Sequence, residues 1–143
     1  MVDPAYTGRC ACGAVTLEIT AKPVGVRQCW CRQCQQIAAG GPTNNAFLPT
    51  EHVSISGKLG HHAYVAPSGN TLTQWFCPSC GSPVSSQSSG RMHLKTVRLG
   101  VIDLPHDLKP EMAIWTAEAP AWALIDPALE RYDGQPPAPP PVS

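Results

Sequence analysis

The sequence predicts a mainly β protein whose loops carry clustered metal ligands. Apolar residues alternate with polar ones in short segments, as Val15, Leu17 and Ile19 do, and this period is typical of half-buried strands. Candidate strands also lead into the later cysteine groups, as they do in zinc ribbons. The chain has 143 residues, which fits one domain that is small enough for bound metal to add to its stability.

The first half of the chain predicts short strands joined by loops. Three residues from Ile37 could form one turn of helix, but Gly40-Gly41-Pro42 would end it at once. A loop beside the metal ligands is therefore predicted there. Strands are predicted at residues 15–20, 46–48 and 53–55, and a further short strand begins at residues 24–26 and leads into Cys29.

The second half predicts longer strands with polar connections. Residues 85–90 are small and polar and are interpreted as flexible, and residues 122–124 as the start of a brief helical turn. The tryptophans assigned to the core are Trp75, Trp115 and Trp122. The strands are predicted at residues 61–65, 71–76, 92–101 and 112–116.

Sequence composition also sets the predicted domain limits. Residues 1–7 carry no pattern and are interpreted as a lead-in. Residues 8–133 form the predicted zinc-binding domain. Residues 134–143 are predicted to be an extended, disordered tail, because consecutive prolines can neither pair in a sheet nor fill a core.

Charge and hydropathy exclude two classes of partner. The formal net charge is zero and 14% of the residues are charged, so the chain offers no basic surface to nucleic acid or to an anionic membrane. Apolar runs fall far short of the roughly 20 residues of a membrane-spanning helix, and no signal peptide is recognisable. We therefore predict a cytoplasmic protein, where thiols stay reduced.

Cys29, Cys31 and Cys34 place three thiols within six residues. Core packing does not require such spacing, whereas Zn²⁺ prefers thiolate ligands and is often held by closely spaced cysteines. A disulfide framework fits less well, because the number of cysteines is odd and such short loops strain the bridge. A redox dithiol at Cys77-Pro78-Ser79-Cys80 is the other alternative.

The seven cysteines divide into a set of four and a set of three. Structural zinc has four ligands, so Cys10 and Cys12 together with Cys77 and Cys80 would complete one closed site. Cys29, Cys31 and Cys34 would then leave one position open, as in catalytic zinc sites. In the alternative, the second site is also closed by one histidine. The candidates are His52, His61, His62, His93 and His106.

The cysteine motifs resemble those of a known enzyme family. They are Gly8-Arg9-Cys10-Ala11-Cys12-Gly13-Ala14-Val15, Cys29-Trp30-Cys31-Arg32-Gln33-Cys34 and Phe76-Cys77-Pro78-Ser79-Cys80-Gly81-Ser82-Pro83, followed by Ile114-Trp115 and Pro120-Ala121-Trp122. Over roughly residues 6–132 the chain is similar to the glutathione-dependent formaldehyde-activating enzymes, or centromere protein V-like domains. The resemblance implies an Mss4-like β-tent with one structural and one catalytic zinc, on the same two cysteine sets.

The resemblance also implies a reaction, in which a carbon–sulfur lyase forms or cleaves S-hydroxymethylglutathione from glutathione and formaldehyde. The expected partner is a small thiol or carbonyl compound. Arg32 is a candidate contact for a substrate carboxylate. Trp30 either walls the site and stacks on substrate or packs the loop into the core.

A second function class remains open on the sequence. In this alternative the chain is a non-catalytic zinc-binding module whose metals serve folding and whose surface binds a protein partner. An open zinc that is accessible to thiols favours the enzyme, and two closed sites favour the module. The pattern specifies no oligomeric state, although exposed edge strands in a small β fold can pair.

Overall fold

The computed structural model describes residues 3–137, and it confirms the prediction of a mainly β fold. The strands are β1 (Tyr6–Arg9), β2 (Thr16–Ile19), β3 (Gly25–Cys29), β4 (Thr43–Pro49), β5 (Val53–Ser56), β6 (Gly60–Val65), β7 (Thr71–Phe76), β8 (Pro83–Ser88), β9 (Leu94–Arg98), β10 (Met112–Ile114) and β11 (Glu130–Arg131). One α-helix, α1 (Arg32–Ile37), lies among the described residues, with short 3-10 turns at Thr50–His52, Leu99–Val101 and Thr116–Glu118.

The strands form a small and a large sheet. The small sheet has the order β1-β2-β5, and the large sheet has eight strands in the order β11-β10-β3-β4-β9-β8-β7-β6. Neighbouring strands are antiparallel, except that β10 runs parallel to both β3 and β11. Because β10 and β11 come from late in the sequence, the C-terminal part of the chain forms the edge of the sheet beside β3.

One face of the large sheet carries the main hydrophobic core. Val26, Ala46 and Val97 are opposite one another on β3, β4 and β9, so their side chains share that face. They are buried together with Leu17 and Ile19 of the small sheet. The small sheet therefore covers the apolar face of the large one.

The other face of the large sheet is polar although it is also buried. Arg27 is opposite Asn45, and Asn45 is opposite Arg98. All three side chains are at most 7% exposed. Cys29 and Thr43 form the next pair along the same face. Buried polar side chains in such a row are costly unless they are hydrogen-bonded, so this face is a candidate for a functional site.

The predicted strands agree with the structure in most segments, but four other predictions were wrong. The segment 85–90 lies within and after β8, whose residues are mostly buried between two strands rather than flexible. The loop predicted beside the metal ligands begins with α1, which Cys31 caps. Residues 122–124 form no helix, and Trp122 is 69% exposed rather than in the core.

The ends of the domain also differ from prediction. Tyr6 and Thr7, placed in the lead-in, belong to β1 and pair with β2. Gly134 accepts a hydrogen bond from the Trp115 amide at 3.2 Å, and the Pro137 carbonyl accepts one from Arg27 at 3.2 Å. Residues 134–137 are thus part of the folded domain, because buried donors of the domain use their carbonyls. The rest of the predicted tail, residues 138–143, lies outside the described residues.

Within residues 3–137, no helix has the length and apolar character needed to cross a membrane.

Candidate functional site

Two tight turns bring four cysteines together at one end of the molecule. The first turn follows β1 and the second follows β7, and each contains a glycine in the left-handed region, Gly13 at φ 80° and Gly81 at φ 78°. A side chain with Cβ is strained in that conformation, which explains the glycine in each turn. The Ala11 amide donates to the Ser82 hydroxyl at 3.1 Å and joins the two turns. The four cysteines are Cys10, Cys12, Cys77 and Cys80.

The spacing of these four sulfurs fits a tetrahedral metal site. All four Sγ atoms lie within 4.8 Å of one another. Cys12 Sγ lies 3.7 Å from the Sγ atoms of both Cys10 and Cys77. Four thiolates around zinc, at a Zn–S distance of about 2.3 Å, are separated by about 3.8 Å. The cluster could therefore hold a metal ion such as zinc, and it joins β1 of the small sheet to β7 of the large one.

Ser82 makes this first cluster ready to bind a cation. Its hydroxyl lies 3.2 Å from Cys80 Sγ. Hydrogen bonds from the Ser82 side chain and amide lower the pKa of Cys80 to about 5. A thiolate is the form that ligates metal, so one ligand is ionised at neutral pH before an ion arrives.

The second cluster lies where β3 meets α1. Cys29 is the last residue of β3, Cys31 is the N-cap of α1, and Cys34 lies in the first turn of the helix. The Cys34 amide donates to Cys31 Sγ at 3.4 Å, so the sulfur itself caps the helix. The three Sγ atoms all lie within 4.8 Å of one another. This group could also hold a metal ion.

Gln35 fixes the orientation of α1. Its side chain is 4% exposed, and its Nε2 donates to the Trp30 carbonyl at 2.8 Å and to the Glu118 carbonyl at 2.9 Å. Glu118 in turn accepts a hydrogen bond from the Arg32 amide through its Oε1, at 3.1 Å. The cysteine loop is therefore tied to the segment that follows β10.

In the second cluster the ionisation of one thiol is favoured, and the ionisation of a second thiol is opposed by the charge of the first. Hydrogen bonds from Cys29 and Cys31 lower the pKa of Cys34 to about 3, with smaller contributions from Thr43 and Arg98. The interactions of Cys29 with Cys31 and Cys34, together with burial, raise the pKa of Cys29. Three thiolates can be held here together only if a cation compensates them, which is the condition that a bound metal meets.

No side chain in the described part of the chain completes the second cluster. Of the histidine, cysteine and carboxylate side chains in residues 3–137, none joins Cys29, Cys31 and Cys34 as a further ligand within 4.8 Å. All five candidate histidines lie within that range. The described side chains thus offer three sulfurs to an ion at this cluster.

Arg98 is the buried cation beside this cluster. It is 7% exposed, its Nη1 donates to Asn45 Oδ1, and its Nη2 donates to Gln74 Oε1. Burial lowers the pKa of Arg98, and the thiols of Cys34 and Cys29 act against that shift. Its Nε atom has no hydrogen-bond partner among the described residues. Sequence analysis missed Arg98, although an arginine between buried strand residues is an unusual signal.

A cavity of about 760 Å³ opens beside the second cluster. Its size lies within the range of about 300–1,000 Å³ that is typical of small-molecule sites. Apolar side chains supply most of its wall, and charged groups lie among them. The residues that line it include Cys31, Arg32, Tyr64, Leu72, Arg91, Trp115, Glu118 and Pro136.

The two residues predicted from sequence as substrate contacts, Arg32 and Trp30, differ in their position relative to the cavity. Arg32 is exposed and lines the cavity. Trp30 is 3% exposed, and its Nε1 donates to Gln28 Oε1 at 3.0 Å, so it packs the loop into the interior. Trp115, assigned to the core, packs half-buried against the cluster of Cys29, Cys34 and Ile114 and also lines the cavity. Sequence analysis also missed Tyr64 and Arg91, because strand pairing brings them to the site from distant parts of the chain.

Comparison with known proteins relates this site to a family. Among solved structures, a crystal structure of a Rhodobacter sphaeroides protein, a structural-genomics target, is similar to this chain with a TM-score of 0.56 and 19% sequence identity, over 70% of this chain and 90% of that chain. At that identity the likeness shows the fold alone. A search of curated protein sequences gave no match. The sequence model described as glutathione-dependent formaldehyde-activating enzyme matches residues 5–118, which include all seven cysteines. The chain belongs to the glutathione-dependent formaldehyde-activating enzyme family.

Proposed function

We propose that the chain is a zinc-dependent enzyme that joins a small thiol to a small carbonyl compound, with glutathione and formaldehyde as the reference substrates. The same site would catalyse the reverse cleavage, which makes the protein a carbon–sulfur lyase acting on S-hydroxymethylglutathione. One observation carries the proposal. Three sulfurs, with no fourth side-chain ligand among residues 3–137, adjoin a cavity through Cys31.

Two zinc ions are proposed, with different roles. The sulfurs of Cys10, Cys12, Cys77 and Cys80 would hold one ion that joins the two sheets. The sulfurs of Cys29, Cys31 and Cys34 would hold the other. When bound there, zinc would supply an open coordination position in which a thiol ionises readily.

The charges of the cavity match those of glutathione. Glutathione carries two carboxylates and one ammonium group, and the cavity wall carries two guanidinium groups and one carboxylate. Arg32 and Arg91 would bind the carboxylates, and Glu118 the ammonium group. Within residues 3–137 none of these three side chains forms a salt bridge with another. Their charges are therefore available to a ligand.

The chain's own residues position the substrate and exclude water. The Arg91 guanidinium lies over the Phe47 ring, 5.5 Å from its centroid, which holds it in place at the cavity wall. Leu72, Trp115 and Pro136 add apolar surface to the wall. A thiolate that is held beside Cys31 with little water around it attacks a carbonyl carbon more readily than one in bulk solvent.

The test is the rate of S-hydroxymethylglutathione formation, followed by exchange NMR spectroscopy with zinc-loaded protein. We expect saturable acceleration above the rate of the spontaneous reaction. Arg91→Ala should raise the KM for glutathione about tenfold with little change in kcat, since it removes one charge-assisted contact. Arg131→Ala, which removes an exposed arginine of β11, is the matched control. Failure to accelerate the reaction of glutathione or any other small thiol would contradict the proposal and favour the zinc-binding module.

The proposal places the enzyme in the reducing cytoplasm. All seven cysteines are free thiols, and the four sulfurs of the first cluster lie at distances that suit shared metal binding rather than disulfide bonds. An oxidising compartment would convert such closely spaced thiols to disulfides and remove the ligands.

A further inference from the structure

Tyr64 is a hydroxyl-bearing side chain on the wall of the cavity. It belongs to β6 and lines the cavity together with Cys31. Its ring stacks on that of His62, with the centroids 6.1 Å apart and the planes inclined by 24°. The ring is therefore supported on one side by its own strand, and Tyr64 shares the cavity wall with Cys31.

A chain of hydrogen bonds fixes the orientation of the amide that contacts Tyr64. Arg98 is anchored to Asn45 through Nη1, and its Nη2 donates to Gln74 Oε1. Because a guanidinium group can only donate, the oxygen of the Gln74 amide must face Arg98. Its Nε2 then faces Tyr64 and donates to the hydroxyl oxygen at 3.5 Å.

This arrangement determines what the Tyr64 hydroxyl can do. Its oxygen accepts the hydrogen bond from Gln74, so its own hydrogen must be donated elsewhere. In the described part of the chain no hydrogen bond uses that hydrogen. Burial raises the pKa of Tyr64 to about 12, so the hydroxyl keeps its proton at neutral pH. A donor beside the thiol cluster is left for a ligand in the cavity.

We propose that Tyr64 is a catalytic residue that donates its proton to the oxygen of the carbonyl substrate, an inference that rests on the proposed function. As the thiolate sulfur attacks, the carbon–sulfur bond forms and the π electrons of the carbonyl group move to its oxygen. That oxygen takes the proton of Tyr64 and becomes the hydroxyl group of the product. The thiol gave its own proton to solvent when it ionised, and solvent then returns one proton to the Tyr64 phenolate, so the net reaction adds thiol to carbonyl with no other reactant.

The hydrogen-bond network gives Gln74 and Arg98 a positioning role in this step. A donor aimed in advance at developing charge stabilises the transition state without reorganisation. Removing one such donor typically lowers kcat about 10²- to 10³-fold. The two positioning residues act through Tyr64. Arg98 orients Gln74, and Gln74 donates to the Tyr64 hydroxyl oxygen, which leaves the hydroxyl hydrogen for the substrate.

The experiment compares Tyr64→Phe, Gln74→Glu and the matched control Tyr6→Phe. Tyr6 donates a hydrogen bond to Asp107 at 2.9 Å and belongs to the small sheet, so its variant should retain full activity. Tyr64→Phe should lower kcat about 100-fold, the cost expected for an oxyanion donor. Glutathione affinity by calorimetry and zinc content should both remain unchanged, since neither depends on the hydroxyl.

Gln74→Glu tests the direction of the hydrogen bond. The carboxylate that it introduces would accept the Tyr64 hydrogen and remain paired with Arg98, so the hydroxyl would be present but turned away from the substrate. We expect kcat to fall almost as far as in Tyr64→Phe, with KM unchanged. A Gln74→Glu variant with the kcat of the wild-type protein would overturn the positioning argument.

Two further outcomes separate this proposal from the one on which it rests. If the wild-type protein accelerates the reaction and Tyr64→Phe retains its kcat within a factor of three, the role of Tyr64 is refuted and the proposed function stands. If the wild-type protein gives no acceleration while it binds zinc, the proposed function fails and the role of Tyr64 fails with it.

Discussion

Replacing Arg98 by methionine separates the two tasks of this buried cation. The substitution leaves Asn45 Oδ1 and Gln74 Oε1 without their donor, which costs about 1–3 kcal/mol for each buried acceptor. The unpaired Nε atom is removed at the same time. This stabilises the protein by about as much as the loss of one acceptor's partner destabilises it. The free energy of unfolding should therefore fall by about 1–3 kcal/mol.

Arg98→Met should also weaken metal binding at the second cluster. Three thiolates and one Zn²⁺ carry a net charge of −1, and a bound thiolate substrate makes it −2. Arg98 is the cation that acts on Cys34 and Cys29. Loss of a group that hydrogen-bonds to a metal ligand typically lowers metal affinity about 10- to 100-fold. The recorded hydrogen bonds of Arg98 go to Asn45 and Gln74, so we expect a fall at the lower end of that range. Arg98→Lys should restore most of that affinity but not the stability, because lysine keeps the charge without the two-pronged hydrogen bonds.

The assays are urea denaturation and competition with a chromophoric chelator for zinc. Arg27→Met is the matched control, since Arg27 is 4% exposed and also has one unpaired nitrogen. Its loss should lower stability, while the zinc affinity of the second cluster should remain as in the wild-type protein. Equal zinc affinity of Arg98→Met and Arg27→Met would contradict the role assigned to Arg98.

Three other predictions concern the framework of the site. Cys77→Ala should bind one zinc fewer and unfold far below the wild-type melting temperature, because structural zinc contributes about 10–16 kcal/mol of binding free energy in small zinc domains; normal melting would contradict this. Gln35→Ala should cost about 1–3 kcal/mol in urea denaturation, whereas the exposed Gln36→Ala should cost almost nothing. Trp30→Phe should lower stability through the lost hydrogen bond to Gln28, and a raised KM for glutathione would show that Trp30 contacts substrate.

The cysteine groups could be predicted from the sequence because their spacing is local. Cys10 and Cys12 lie in one turn, as do Cys77 and Cys80, and the geometry of each turn presents both sulfurs on the same side. A single long-range contact between the two turns then completes the set of four. The alternation at residues 15–20 predicted β2 for a similar reason, since it records which side of one strand faces the core.

Sequence analysis missed residues whose role depends on strand register. Arg98 faces Asn45 only because β9 pairs with β4, and Gln74 reaches it from β7, two strands away. The segment after residue 84 was interpreted as flexible because its serines are small and polar. In the structure β8 lies between β7 and β9, and Ser85 donates a hydrogen bond to the Thr96 carbonyl at 2.7 Å. A polar sheet interior has no hydrophobic period for sequence analysis to detect.

The most direct test of the central claim is zinc per chain in the wild-type protein and in Cys34→Ala, each titrated with glutathione by calorimetry. We predict two zinc ions in the wild-type protein, one for each cysteine cluster. In Cys34→Ala the zinc content should fall toward one, and glutathione binding should be lost with it. Two zinc ions in a wild-type protein that never responds to glutathione or any other small thiol would contradict the claim of an open, catalytic site.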